Sequence, residues 1–173
     1  MKLESSSSVA PTPPLRRFTP ACHTPGESVM KPIAFTKVDL PYGWLGNMSP
    51  HPVKYDDKWW KTTEALFQAL RFEDQGIREA IRAAQSPMTA KMISKARKNR
   101  HLRLVEPESP ADLDNMRMVL RLKLQFHPKL KAELLATGEA VIIEDCSARK
   151  PSGRGCQRIA GEWAGENLLG KLR

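Results

Sequence analysis

Three dipeptides, Ser86-Pro87, Ser109-Pro110 and His127-Pro128, do most to limit what this chain can become. Proline inside a helix removes a hydrogen bond and clashes with the preceding turn, yet its fixed φ suits the first helical position, and serine before it caps the exposed N–H groups. Each pair therefore reads as a helix start, and the second half of the chain becomes a succession of short helices. The first is expected from Pro87 to about Arg100. The second has Asp112 placed to complete a capping box and Leu113, Met116, Leu120 and Leu124 at helical spacing, which predicts a core helix. The third runs through Leu135, Gly138 closes it, and Ala140 to Ile143 reads as a buried strand.

Upstream the signals are of the same kind. Thr62 and Thr63 are good caps for a helix over Glu64 to Glu73, where Leu66, Phe67 and Leu70 form an apolar stripe. Gly76 is expected to break that helix, and Ile77 to Ala84 makes a short amphipathic one. Ile33 to Val38 and Val53 to Trp59 read as short strands on either side of a loop marked by Pro41, Gly43, Gly46 and Asn47. After Glu144 the chain is rich in glycine and basic residues until Asn167, where a terminal helix is expected that ends at Arg173. The predicted fold class is α+β, a compact, helix-dominated single domain with a small β-sheet.

The first thirty residues differ from the rest, with a run from Ser5 to Ser8, prolines at 11, 13, 14, 20 and 25, and no apolar period. Residues 1–30 are read as a disordered tail and 31–173 as the domain. A length of 173 residues suits one domain, and 40% hydrophobic with 27% charged residues is ordinary for a globular chain with a real core. No apolar run approaches the length needed to cross a bilayer, so the protein is expected to be cytoplasmic and not membrane-bound. The three cysteines, Cys22, Cys146 and Cys156, and the four histidines show no zinc-ligand spacing, and neither a metal nor a cofactor is expected. Phosphate-loop, dinucleotide-fold and serine-hydrolase motifs do not occur.

Lys and Arg number 28 against 19 Asp and Glu, a net charge of +9 that favours an anionic partner. The basic residues gather over Lys91 to Arg103, at Arg117, Arg121 and Lys123, and over Arg149 to Arg158; Arg117 and Arg121, one turn apart, have the spacing to grip a phosphate. On the helix after Thr63, Glu64, Gln68 and Arg71 fall at i, i+4 and i+7, a polar stripe beside the apolar one. Taken alone, Glu64 reads as an acid complementing the helix dipole. Glu144-Asp145, at the end of the buried strand, reads as a solvated turn or as part of a site.

The order of motifs adds more. Tyr42-Gly43-Trp44-Leu45-Gly46-Asn47-Met48-Ser49-Pro50 is followed by Thr63-Glu64-Ala65-Leu66-Phe67-Gln68-Ala69-Leu70-Arg71-Phe72. Ser86-Pro87 with Ala90-Lys91 comes next, then Met116-Arg117, His127-Pro128-Lys129-Leu130, Leu134-Leu135-Ala136-Thr137-Gly138, Ile143-Glu144 and Gly165-Glu166-Asn167-Leu168-Leu169-Gly170. This succession, over residues 33 to 173, resembles the NADAR domain family, also called the YbiA-like family.

The resemblance implies an α+β domain that acts as an N-glycosidase on ribose-linked bases. Its substrates would be phosphorylated ribosylamino-pyrimidine intermediates of riboflavin synthesis, or guanine carrying ADP-ribose, so the expected partner is a small nucleotide or ribose phosphate, or an ADP-ribosylated nucleic acid. It makes Glu64 the catalytic candidate, and Trp44, Asn47, Gln68, Lys91, Arg117, Glu144, Asp145 and Asn167 the candidates for substrate binding. The chain departs from the family pattern in four places. Ala65-Leu66 replace a His-Tyr pair after the glutamate, Arg100-His101-Leu102-Arg103 lacks a tryptophan, Gly153-Arg154-Gly155-Cys156 lacks a Trp-Gly, and the closing helix is short. The loss of both tryptophans and the short C-terminus support the rival expectation, a degenerate domain that binds ADP-ribose-like nucleotides or nucleic acid without turnover. A general nucleic-acid-binding protein is a third reading, carried by the net charge alone.

Overall fold

The computed structural model describes residues 31–147, 156–159, 162–165 and 167. The expected tail, most of the Arg149 to Arg158 basic stretch and the expected terminal helix after Asn167 lie outside the described residues.

Strand β1 (Ile33–Phe35) pairs in parallel with β4 (Ile142–Glu144), with Ile33 opposite Ile142 and Phe35 opposite Glu144. A bridge from Asp145 to Cys156 continues β4 toward the antiparallel pair β5 (Cys156–Ile159) and β6 (Glu162–Gly165). The run from Val53 to Trp59, expected as one strand, is instead a hairpin of β2 (Val53–Tyr55) and β3 (Lys58–Trp60). Asp56 and Asp57 make the turn with φ of 50° and 54°, the paired left-handed conformation that two-residue hairpins need and that aspartate tolerates better than most residues.

The helices follow the caps. Thr62 accepts a hydrogen bond from the Ala65 N–H at 3.2 Å and opens α1 (Thr63–Ala69), which ends earlier than its apolar stripe suggests because the Phe72 N–H turns back to Ala69 O at 3.0 Å. Asp74 caps α2 (Gln75–Ala83) through the Ile77 N–H, so the break before α2 comes from this cap; Gly76 sits inside the first turn of α2. Helix α3 (Pro87–Lys95) stops short of Arg100, since Ala96 takes extended ψ and a 3₁₀ segment follows over Arg97–Leu102. Both α4 (Pro110–Phe126) and α5 (Pro128–Ala136) begin at their prolines as expected.

All seven residues of α1 are buried, because α2, α3 and α4 pack around it. Val53, Trp60, Leu66, Phe67, Phe72, Ile81 and Val119 fill the core. The buried face of α4 is not the predicted one. Asp112, Val119 and Lys123 point inward with Met116 beside them, while Leu113, Leu120 and Leu124 are only half-buried on the adjoining face. Apolar periodicity misplaces this face because two of its members are charged and find partners inside. The capping box is half-formed: Ser109 Oγ accepts from the Asp112 N–H at 3.3 Å, but the Asp112 carboxylate reaches past the cap to the Glu108 N–H at 2.8 Å. Among the described residues no helix is long and apolar enough to cross a membrane.

Candidate active site

A cleft of about 400 Å³ opens beside the N-terminus of α1. One wall is the end of β1 and the segment after it, Phe35 to Asp39; another is the loop Gly46 to Met48. Glu64 and Phe67 from the first turns of α1, Pro87 and Lys91 from α3, Met116 from α4 and Glu144 from β4 complete the lining. The two walls touch at Gly43, where an added Cβ would lie 2.3 Å from Lys37 O, so only glycine lets the backbone close there.

Glu64 is held on both its backbone and its side chain. Its N–H, one of the donors that a helix start leaves without an internal partner, goes to Asn47 O at 3.1 Å, and Thr63 Oγ1 donates to the same carbonyl at 3.1 Å. The carboxylate, in a residue only 6% exposed, accepts from Gln68 Nε2 at 2.8 Å through Oε1. Its Oε2 has no hydrogen-bond partner among the described residues. Gln68 Oε1 in turn accepts from an Arg71 guanidinium nitrogen at 2.9 Å. Arg71 closes a two-pronged ion pair on Asp112, Nε to Oδ1 at 2.7 Å and its other terminal nitrogen to Oδ2 at 2.8 Å, and its guanidinium carbon stands 4.5 Å from the centre of the Phe67 ring.

The Gly46 to Ser49 loop rests on a buried lysine from α4. Lys123 Nζ donates to Gly46 O at 2.9 Å and to Ser49 Oγ at 3.0 Å, and burial pulls its pKa down to about 7. His51, 3.0 Å from Ser49 Oγ and edge-on to His127, is lowered by burial and then by the nearby charge of Lys123. Asn47, on the cleft side of this loop, thus sits on a fixed base.

Four of the nine expected site residues, Asn47, Glu64, Lys91 and Glu144, line this cleft. Gln68 is buried directly behind Glu64. Asn167 is buried under β4, where Nδ2 donates to Ile142 O at 2.7 Å and Oδ1 accepts from the Glu144 N–H at 3.2 Å, so it fixes the strand end that carries Glu144. Asp145 accepts from the Ser147 N–H at 2.8 Å and shapes the following turn. Trp44 lines a different hollow of about 450 Å³ with Lys31, Tyr42 and Glu133. Arg117 does not line the cleft either; it is exposed and paired with Asp114 at 2.6 Å. Sequence reasoning missed Phe35, Lys37, Asp39, Phe67 and Met116, all cleft-lining, and the supporting roles of Asp112 and Lys123. Among the described residues no group of His, Cys, Asp or Glu could hold a metal ion.

The sequence profile of the NADAR domain matches residues 34–172. The chain belongs to the NADAR domain family. N-glycosidase YbiA of Shigella boydii is 36% identical over 140 residues, spanning 81% of this chain and 82% of that protein. N-glycosidase Npun_R5314 of Nostoc punctiforme is 32% identical over 146 residues, 80% of this chain and 86% of that one. A riboflavin biosynthesis protein of Vibrio vulnificus is 26% identical over 154 residues, 87% of this chain but 39% of that longer protein. The solution structure of Escherichia coli YbiA superposes with a TM-score of 0.63 at 32% identity, covering 89% of this chain and 88% of the other.

Membership in the NADAR family gives the departures from its pattern a location. Ala65 and Leu66, at the positions of the missing His-Tyr pair, are buried among core residues and do not line the cleft. Arg103, at the position of the missing tryptophan, donates to Ser94 O at 2.9 Å and lies outside the cleft, whose aromatic faces are Phe35 and Phe67. Gly153 to Gly155 lie outside the described residues.

Proposed function

We propose that this chain, an N-glycosidase of the NADAR family, hydrolyses the bond between the anomeric carbon of a phosphorylated ribose and the nitrogen of its base, with Glu64 as the assisting carboxylate. One observation carries the reading: a buried glutamate lines a ligand-sized cleft with one oxygen tied to Gln68 and the other without a partner among the described residues. As the glycosidic bond breaks, the departing nitrogen keeps the bonding electrons and positive charge builds on the ribose; a fixed carboxylate beside it stabilises that charge and takes a proton from the attacking water, whose oxygen joins the anomeric carbon, while the base leaves neutral with a proton gained in exchange. The step needs no metal ion, since the carboxylate supplies both charge and base.

The rest of the lining suits such a substrate. Lys37 and Lys91 offer ammonium groups for phosphate, Asp39 and Glu144 offer acceptors for ribose hydroxyls, and Phe35 and Phe67 offer aromatic faces for a base. About 400 Å³ lies toward the small end of ligand sites, which span roughly 300–1,000 Å³. The name of the Vibrio vulnificus relative favours a ribosylamino-pyrimidine phosphate over an ADP-ribosylated nucleic acid.

The test is base release, followed by chromatography, from a phosphorylated ribosylamino-pyrimidine and from an oligonucleotide carrying ADP-ribosyl-guanine. Wild type is expected to release the pyrimidine, and Glu64→Gln to lose about 10²–10⁴-fold in kcat with its fold intact. Undiminished turnover by Glu64→Gln would remove Glu64 from the mechanism; release of guanine alone would move the substrate class to ADP-ribosylated nucleic acid.

A further inference from the structure

We infer that Gln68, Arg71 and Asp112 form a buried positioning chain that orients the Glu64 carboxylate; this rests on the reading of Glu64 as the catalytic carboxylate. The argument is one of hydrogen-bond direction. A guanidinium has five donors and no acceptor, so the end of the Gln68 amide that faces Arg71 must be its oxygen. Its NH₂ end is then fixed toward Glu64. The Asp112 carboxylate sets the guanidinium in its turn by the two-pronged contact, and the Glu108 N–H on Asp112 Oδ2 fixes that carboxylate. Every bond in the series therefore has one allowed sense, running from the N-terminus of α4 to one oxygen of Glu64.

Burial makes the series informative. Gln68 is 0% exposed and Arg71 1%, with Asp112 at 2%. A desolvated ion pair is weak evidence for stability, because well-packed apolar residues of the same volume are often at least as stable. What apolar residues cannot do is hold the Gln68 amide in one orientation. Without Arg71 the amide is free to turn its oxygen on Glu64, which would set two acceptors against each other and displace the carboxylate. Local geometry brings this about: Glu64 and Gln68, at i and i+4, share one face of α1, and Arg71, just past the end of that helix, carries the line on to Asp112 in the first turn of α4.

The experiment compares Gln68→Met, the double variant Arg71→Met with Asp112→Leu, and Glu64→Gln, using whichever of the two substrates above releases its base. The double variant should melt at or above the wild-type temperature, yet both it and Gln68→Met should lose about 10- to 100-fold in kcat with KM within about two-fold. The side-chain amide signals of Gln68 in a ¹H–¹⁵N spectrum should shift in Glu64→Gln and in the double variant. Gln68→Met leaves the ion pair in place, and so reports on the chain even where the double variant does not fold. Wild-type kcat in folded Gln68→Met, with Glu64→Gln inactive, would overturn the positioning chain and leave the role of Glu64 standing. Full activity in Glu64→Gln would overturn both.

Discussion

Two arginine–carboxylate pairs in this molecule have the same geometry and opposite surroundings. Arg82 grips Glu79 with two nitrogens, at 2.8 and 2.5 Å, one turn apart on α2. Arg71 grips Asp112 in the same two-pronged way across 41 positions of sequence. The α2 pair lies in water, where Arg82 keeps Glu79 below the usual carboxylate range but competes with solvent for it. The Arg71–Asp112 pair has almost no solvent contact, so neither partner can replace the other with water. Contact geometry alone therefore says little about what an ion pair does; the number of alternatives open to each partner says more.

Breaking one side of each pair should expose this difference. Asp112→Ala leaves a buried guanidinium without its counter-charge and should cost about 3–5 kcal/mol of stability, measured by urea unfolding. A loss below about 1 kcal/mol would mean that water reaches Arg71 readily, and the contrast would collapse. A buried cation without a counter-ion among the described residues sharpens the contrast further. Lys123 titrates near pH 7 in the folded state and at its ordinary 10.5 when unfolded, so the unfolded chain binds more protons between those values. Its contribution to stability should accordingly rise with pH over that window, by up to about 1.4 kcal/mol per pH unit, and stay level at its lowest value below pH 7. Unfolding from pH 7 to 9 should show that slope in wild type and lack it in Lys123→Met; equal slopes would show that Lys123 is not the group responsible. The smallest effect belongs to Glu79→Ala, which should leave the melting temperature where it is, and any clear drop would show that α2 depends on its surface pair.

What could be read in the sequence was mostly punctuation. Thr62, Ser86-Pro87, Ser109-Pro110 and His127-Pro128 act within one turn of themselves, so their meaning does not depend on the rest of the fold, and the helices they open are where they should be. The residues at 112 and 123 had no such local meaning. Asp112 fitted a capping box and Lys123 a basic cluster, but their partners, Arg71 and the Gly46–Ser49 loop, are 41 and more than 70 positions away. The candidates that do line the cleft, Asn47, Glu64, Lys91 and Glu144, all stand in motifs of the NADAR family, whereas Phe67 and Met116 stand in the same motifs and read there as apolar core. Phe35, Lys37 and Asp39 carry no pattern; they join the lining because β1 happens to end there.

The pairing of β1 with β4 has a consequence for when the site comes into being. Ile33 and Ile142 face each other across more than one hundred positions, with the whole helical body between them. Helices α1 to α5 can find one another through nearer contacts, whereas this ladder requires the longest loop closure described in the molecule, and its entropic cost is met only once the intervening chain is compact. As the protein leaves the ribosome, the glutamate and its buried supports belong to a portion that can assemble early, but Glu144 and the wall beside Phe35 wait for residues 142–144 to emerge. The pocket is thus assembled after the core it is carved from, and a chain arrested before residue 142 would have an organised interior and no place to bind.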